Sequence, residues 1–95
     1  MMHFLITYDI TSNRMRLKAA RILDDFGDRV QESVFELPNL DVLIWKKCLK
    51  RLKDKIKLTG TDSIRVYILC ESCRKKIMLL GHGPKPMDDP DVIVI

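Results

Sequence analysis

Twice along these 95 residues the apolar period changes from the alternation of a strand to the three- and four-residue spacing of a helix, and back again. That switch limits the fold more than any single motif, because each helical stretch must bury one stripe against a sheet whose strands it separates. His3 to Ile10 is rich in β-branched and aromatic residues and closes around Asp9, before polar Thr11-Ser12-Asn13, which predicts a first strand. From Asn13, residues Met15, Ala19, Ile22, Leu23 and Phe26 recur at helical spacing, with Thr11 to Asn13 as capping material and Gly27 as the stop. Arg29 to Leu37 returns to strand character. Its alternation slips near Ser33, where a bulge or hairpin intervenes, and Pro38-Asn39 closes it. A second helix starts at Leu40-Asp41, carries Val42, Trp45, Leu49, Leu52 and Ile56 as one stripe, and ends at Gly60.

Ser63 to Leu69 then alternates as a strand. The polar link Cys70 to Lys75 is expected to join it to Lys76 to Leu80 as a hairpin, closed by Gly81-His82-Gly83-Pro84. After the proline-bearing tail 85–90, Val92 to Ile95 is an apolar β-type segment that needs a sheet edge, its own or a partner's. These elements predict one α+β domain over 1–95, ferredoxin-like (βαββαβ-type), with two helices on one sheet face and an extra C-terminal strand within 85–95. The uncovered sheet face and the small core both point to a homodimer.

The 17 Lys and Arg against 13 Asp and Glu give a net charge of +4 and a pI near 9.1, which favours polyanionic partners. Helix two concentrates that charge in Lys46, Lys47, Lys50, Arg51, Lys53, Lys55 and Lys57, and helix one adds Arg14, Arg16, Lys18 and Arg21. A solvated helix face explains one such helix; two on one layer favour contact with a nucleic-acid backbone. Aromatics are only 6% of the chain, so recognition by base stacking is disfavoured. No apolar run approaches the roughly 18 residues of a membrane span. The opening Met1 to Asp9 has neither a basic leader nor a small-residue cleavage site, so a cytoplasmic protein without membrane association is expected.

Asp9 is the first candidate for chemistry, because a carboxylate at the C-terminal end of a buried strand, before a polar loop and a helix, is a common site position in small α/β folds. A cap or turn former is the competing reading. Arg14 and Arg16 just downstream, with Arg29 opening the next strand, could hold phosphates near it. Phosphodiester hydrolysis commonly recruits a divalent metal through carboxylates, and one Asp per chain suffices only if two meet across a dimer axis. Cys70-Glu71-Ser72-Cys73 is a single CxxC that Cys48, His3 and His82 do not obviously complete as a zinc site. Placed in a hairpin turn rather than at a helix start, it ranks as loop chemistry first, metal binding across a dimer second and redox third. His82 between glycines reads as an exposed loop histidine or a base.

Four segments in order, Ile6-Thr7-Tyr8-Asp9-Ile10, the arginine-bearing helix ending in Phe26-Gly27, Arg29 to Glu36 and Asp62 to Tyr67, make the chain resemble the CRISPR-associated Cas-two family, endoribonucleases and partners in spacer acquisition, over nearly its whole length. The resemblance implies a ferredoxin-like homodimer whose C-terminal strand completes the sheet at the interface. It implies that Asp9 and its symmetry mate bind a divalent metal, usually magnesium with manganese as the alternative. On that basis Asp9 is the catalytic and metal residue of an endonuclease acting on RNA or double-stranded DNA. Arg14, Arg16, Lys18, Arg29, Ser33 and Phe35 are the nucleic-acid-binding candidates, with Tyr8 adjacent; Arg16 and Arg29 serve phosphate contact or local structure, Phe35 packing or substrate contact. Lys18 stands where some relatives carry arginine, which weakens bidentate phosphate contact there. The family also implies a second role, as a non-catalytic scaffold that bridges dimers of the Cas-one integrase and grips duplex DNA.

Overall fold

The computed structural model of the chain describes residues 2–83 and, by backbone alone, 93–94. Its elements run β1 (Met2–Asp9), α1 (Asn13–Asp24), β2 (Asp28–Gln31), β3 (Val34–Leu40), α2 (Val42–Lys55), β4 (Ser63–Leu69), α3 (Glu71–Arg74), β5 (Met78–Leu79) and β6 (Ile93–Val94). The first four strands form an antiparallel sheet of order β2-β3-β1-β4. This is the ferredoxin-like order the period switches predict: each helix crosses over between strands that are not neighbours, so β1 ends up between β3 and β4.

Alternation along β1 places Phe4, Ile6 and Tyr8 in the core, where they join Phe35 and Leu37 of β3. The helices close that core with Ala19, Ala20, Ile22 and Leu23 of α1 and Cys48 and Leu52 of α2. Phe4 stacks on Trp45 with ring centroids 4.2 Å apart. Ser12 caps α1 by accepting the Met15 N–H, and Asp41 caps α2 by accepting the Leu43 N–H at 2.8 Å. An Arg51–Asp25 ion pair at 2.8 Å, with Arg51 also over the Phe26 ring, ties the two helices on their outer side.

Several boundaries differ from the sequence expectation for identifiable reasons. The Arg29–Leu37 stretch is two strands, β2 and β3, turning at Glu32-Ser33, so the phase slip marks a hairpin. β3 continues through Pro38 and Asn39 because a bulge there absorbs the irregularity: the register shifts opposite Met2 to Phe4 and Asn39 turns to φ 53°. The helix α2 stops at Lys55, ahead of Gly60, because Ile56 adopts extended backbone and buries its side chain in the core. Gly60, at φ 61°, serves the loop instead. Val42 is 47% exposed and off the buried stripe, whereas Cys48, not counted on it from spacing, is fully buried.

Gly27 stops no helix through a left-handed turn. A side-chain carbon there would collide with the Glu36 carbonyl and the Leu37 backbone of β3, so the residue is required by close approach. The expected hairpin after β4 is absent: Cys70 to Lys75 forms α3, and β5 pairs in parallel with β6 as a separate two-stranded sheet. A helical turn consumes the residues that would have brought Lys76 to Leu80 back along β4. The C-terminal segment does find a strand partner, at Ile93 and Val94, within its own chain; the tail residues 85–92 and Ile95 lie outside the described residues.

Candidate functional site

The C-terminal end of β1 opens into a cleft of about 350 Å³. Tyr8, Asp9 and Ile10 form its floor, Asn13, Arg16, Leu17 and Ala20 of α1 one wall, and Arg29, Glu32 and Ser33 of the β2–β3 hairpin the other. Five of the residues singled out from the sequence, Tyr8, Asp9, Arg16, Arg29 and Ser33, therefore meet in one place although they span 26 positions of chain.

The walls are held by side-chain-to-backbone bonds. Arg16 donates from Nη1 to the Ile10 carbonyl at 3.1 Å and from Nη2 to Asn13 Oδ1 at 2.8 Å, which folds the β1–α1 loop around its guanidinium. Arg29 donates from Nε to the Glu32 carbonyl at 2.9 Å and reaches the same oxygen through Nη2. The Tyr8 hydroxyl adds a third bond to that carbonyl at 3.1 Å. Burial pushes the Tyr8 phenol up, opposed by the neighbouring Arg29, so it remains a neutral donor at physiological pH. Arg29 also lies over the Phe35 ring, 5.7 Å from its centroid. Both arginines thus have local structural roles, and since a guanidinium carries five donors each keeps N–H groups outside those bonds.

Asp9 differs from everything around it. Its carboxylate is exposed and makes no hydrogen bond or ion pair with the described residues. No group of three or more His, Cys, Asp and Glu side chains capable of holding a metal occurs among the described residues. The donor set of one chain, the Asp9 carboxylate, suits a hard cation that keeps most of its water and takes one or two carboxylates plus phosphate oxygens, and it does not make a closed cage.

Three of the expected contact residues fall elsewhere. Arg14 and Lys18 line a neighbouring surface groove with Asn13, Leu17 and Arg21, outside the Asp9 cleft; each is two residues from Arg16, which at helical spacing turns it about 200° around the axis from that side chain. Phe35 is 0% exposed and packs under Tyr8 and Arg29.

Sequence reasoning passed over three residues that build the site. Asp62 accepts the Thr11 N–H at 2.9 Å and hydroxyl at 2.8 Å on one oxygen, and the Thr59 N–H at 3.1 Å on the other. It therefore clasps the α2–β4 loop to the loop just past Asp9, and the bonds from Thr11 and Thr59 hold its pKa below the usual carboxylate range. Its sequence signal is the Thr-Gly-Thr-Asp turn composition. Asn13 and the Glu32 carbonyl left none that spacing could reveal.

The family model described as CRISPR associated protein Cas2 matches residues 1–77. The chain belongs to the Cas2 family. A relative from Chloroflexus aurantiacus, named CRISPR-associated endoribonuclease Cas2 1, is 40% identical over 94 residues, covering 99% of this chain and 100% of the relative. Among solved structures, Cas2 of Streptococcus pyogenes superposes with a TM-score of 0.71 at 32% identity, over 84% of this chain and 100% of that one. A chain in a partial Cas6-RT-Cas1–Cas2 complex superposes with a TM-score of 0.57 at 30% identity, over 79% and 80% of the two chains. The Cas2 match ends at Ile77, so α3 lies inside the matched region and β5 and β6 outside it.

Proposed function

We propose that this Cas2-family chain is a metal-dependent endonuclease that cleaves RNA or double-stranded DNA in CRISPR spacer acquisition, acting as a homodimer in which the Asp9 carboxylates of two copies hold one divalent cation, magnesium or manganese. The observation that carries the reading is the unpartnered Asp9 in a cleft walled by Arg16 and Arg29. A carboxylate left unsatisfied between two cationic side chains is placed to take a cation while the arginines take the phosphate. The cation, when bound, supplies Lewis-acid stabilisation of negative charge developing on the scissile phosphate. Arg16 and Arg29 orient the phosphodiester from either wall with their remaining N–H groups. Tyr8 and the Glu32 carbonyl keep the hairpin wall in register, and Asp62 does the same for the loop wall. The names of the relatives, endoribonuclease among them, support the reaction class.

A second reading rests on the other charged surface. All seven cations from Lys46 to Lys57 are exposed, a face suited to duplex backbone, and a similar chain occurs in a partial Cas6-RT-Cas1–Cas2 complex. A dimeric scaffold bridging integrase subunits and gripping DNA uses that face and leaves Asp9 idle. Cleavage of labelled single-stranded RNA and duplex DNA by wild type and Asp9→Asn, with magnesium, manganese or chelator, separates the two. Metal-dependent cleavage lost in Asp9→Asn, with salt-sensitive binding retained, is the expected result. Cleavage equal in both proteins, or absent from both while duplex binding persists, transfers the function to the scaffold. No salt-sensitive binding of either nucleic acid defeats both readings.

A further inference from the structure

Cys70 and Cys73 do not sit in the hairpin turn expected for them; they occupy the start and the interior of one helical turn. The Cys70 sulfur accepts the Cys73 backbone N–H at 3.4 Å and lies 3.2 Å from the Ser72 hydroxyl. Both residues are exposed. From this geometry we infer that Cys70 and Cys73 form a dithiol–disulfide exchange site, with Cys70 as the attacking sulfur, Cys73 as the resolving one and small-molecule disulfides as the reaction partner.

Two groups able to donate, the Ser72 hydroxyl and the Cys73 backbone N–H, converge on one sulfur, which is what a thiolate needs in place of water. They lower the Cys70 pKa to about 7, and the same pairing raises that of Cys73. The third cysteine is a built-in contrast: Cys48 is buried in the core and its thiol is pushed up to about 11 by burial. The turn is held in place through Glu71. Glu71 accepts a hydrogen bond from His3 of β1 at 2.8 Å and from Arg74 at 2.6 Å, so Cys70 and Cys73 are presented outward from an anchored backbone.

In the exchange, the Cys70 thiolate attacks one sulfur of a disulfide RSSR; that S–S bond breaks, RS⁻ leaves and Cys70 carries SR. Cys73 then gives its proton to solvent and attacks the Cys70 sulfur, expelling the second RS⁻. The protein dithiol has lost two electrons and two protons, and RSSR has become two thiols. The site is independent of the Asp9 cleft, at the opposite end of β1.

Oxidised glutathione is the probe. Intact protein equilibrated with it and then acid-quenched is expected to lose the mass of two hydrogens, with the new bond mapped to Cys70–Cys73 and reversed by dithiothreitol, while Cys48 stays unmodified. At pH 7 Cys70 should react with iodoacetamide roughly tenfold faster than an unperturbed cysteine. Cys73→Ser should stop at a stable glutathione adduct on Cys70. A persistent adduct in the wild type, disulfides only between two copies, or Cys70 reactivity no faster than an ordinary thiol would overturn the assignment. Since Ser is isosteric and both positions are exposed, a folded Cys73→Ser protein is secured by its unchanged melting curve.

Discussion

The two ends of β1 carry a polar residue each, at alternate positions of the same face, and treat them in opposite ways. His3, at one end, is fully buried: Nδ1 accepts the Asn39 N–H at 3.1 Å and Nε2 faces Glu71 at 2.8 Å. An acceptor at Nδ1 assigns the ring proton to Nε2, which donates to the carboxylate. Every polar atom of that ring is used, and the histidine does the structural work of closing the β3 bulge and docking α3. Asp9, at the other end, is exposed and has no partner among the described residues. The teaching of the pair is that chemistry is available where a polar group is held in place by its backbone and left unsatisfied at its side chain, and that saturation converts the same kind of residue into a fastener.

The comparison is broken most directly by exchanging the consequences. Asp9→Asn should lower metal-supported cleavage on the order of 10³-fold while leaving the melting temperature unchanged; a large loss of stability would mean that Asp9 is a fastener after all. His3→Ala should do the reverse. Losing a fully buried ring and both of its hydrogen bonds is expected to cost about 3 kcal/mol in denaturant unfolding, with cleavage per folded molecule retained.

Acid sharpens the contrast with a smaller effect. The hydrogen bonds from Arg74 and His3 hold Glu71 down at about 2, and those from Thr11 and Thr59 lower Asp62. A depressed folded-state pKa stabilises the native chain above the unfolded value, near ~4.3 for Glu and ~3.9 for Asp. The benefit is lost as pH falls through the folded value, so for Glu71 the window runs from there down to about 2. Melting temperature should therefore fall with pH across that window, and Glu71→Gln should flatten the slope by its share; an unchanged slope would show that the His3 end is not clasped through this carboxylate. The smallest effect belongs to the outer surface. Lys50 and Asp54 face each other at 3.7 Å with both side chains well exposed, and Asp54→Asn should change stability by no more than about 0.5 kcal/mol.

Much of the fold was legible because periodicity reports burial directly. The order of strands and helices, the stripes of Ala19, Ile22 and Leu23 and of Leu52 and Ile56, and the acidic end of β1 all follow from side chains repeating at the spacing of one buried face. The site was legible in part. Tyr8, Asp9, Arg16, Arg29 and Ser33 do share one cleft, yet Arg14 and Lys18 sit on a different surface and Phe35 has no surface at all. Spacing names the helix a residue is on; the neighbours of that helix decide what the residue faces.

By itself, then, the sequence determined the ferredoxin-like order of elements, the basic helical layer and the carboxylate at the end of β1, because each is written in local period and composition. Tertiary structure alone decided which polar groups are spent and which are free. It turned Cys70-x-x-Cys73 from a loop into an anchored helical turn, gave Asp62 the task of tying two loops together, placed the Glu32 carbonyl under Tyr8 and Arg29, and closed His3 on both nitrogens. Those outcomes depend on partners 3 to 68 positions away in the chain, and hydrogen bonds across such distances are settled by packing, which no local pattern encodes.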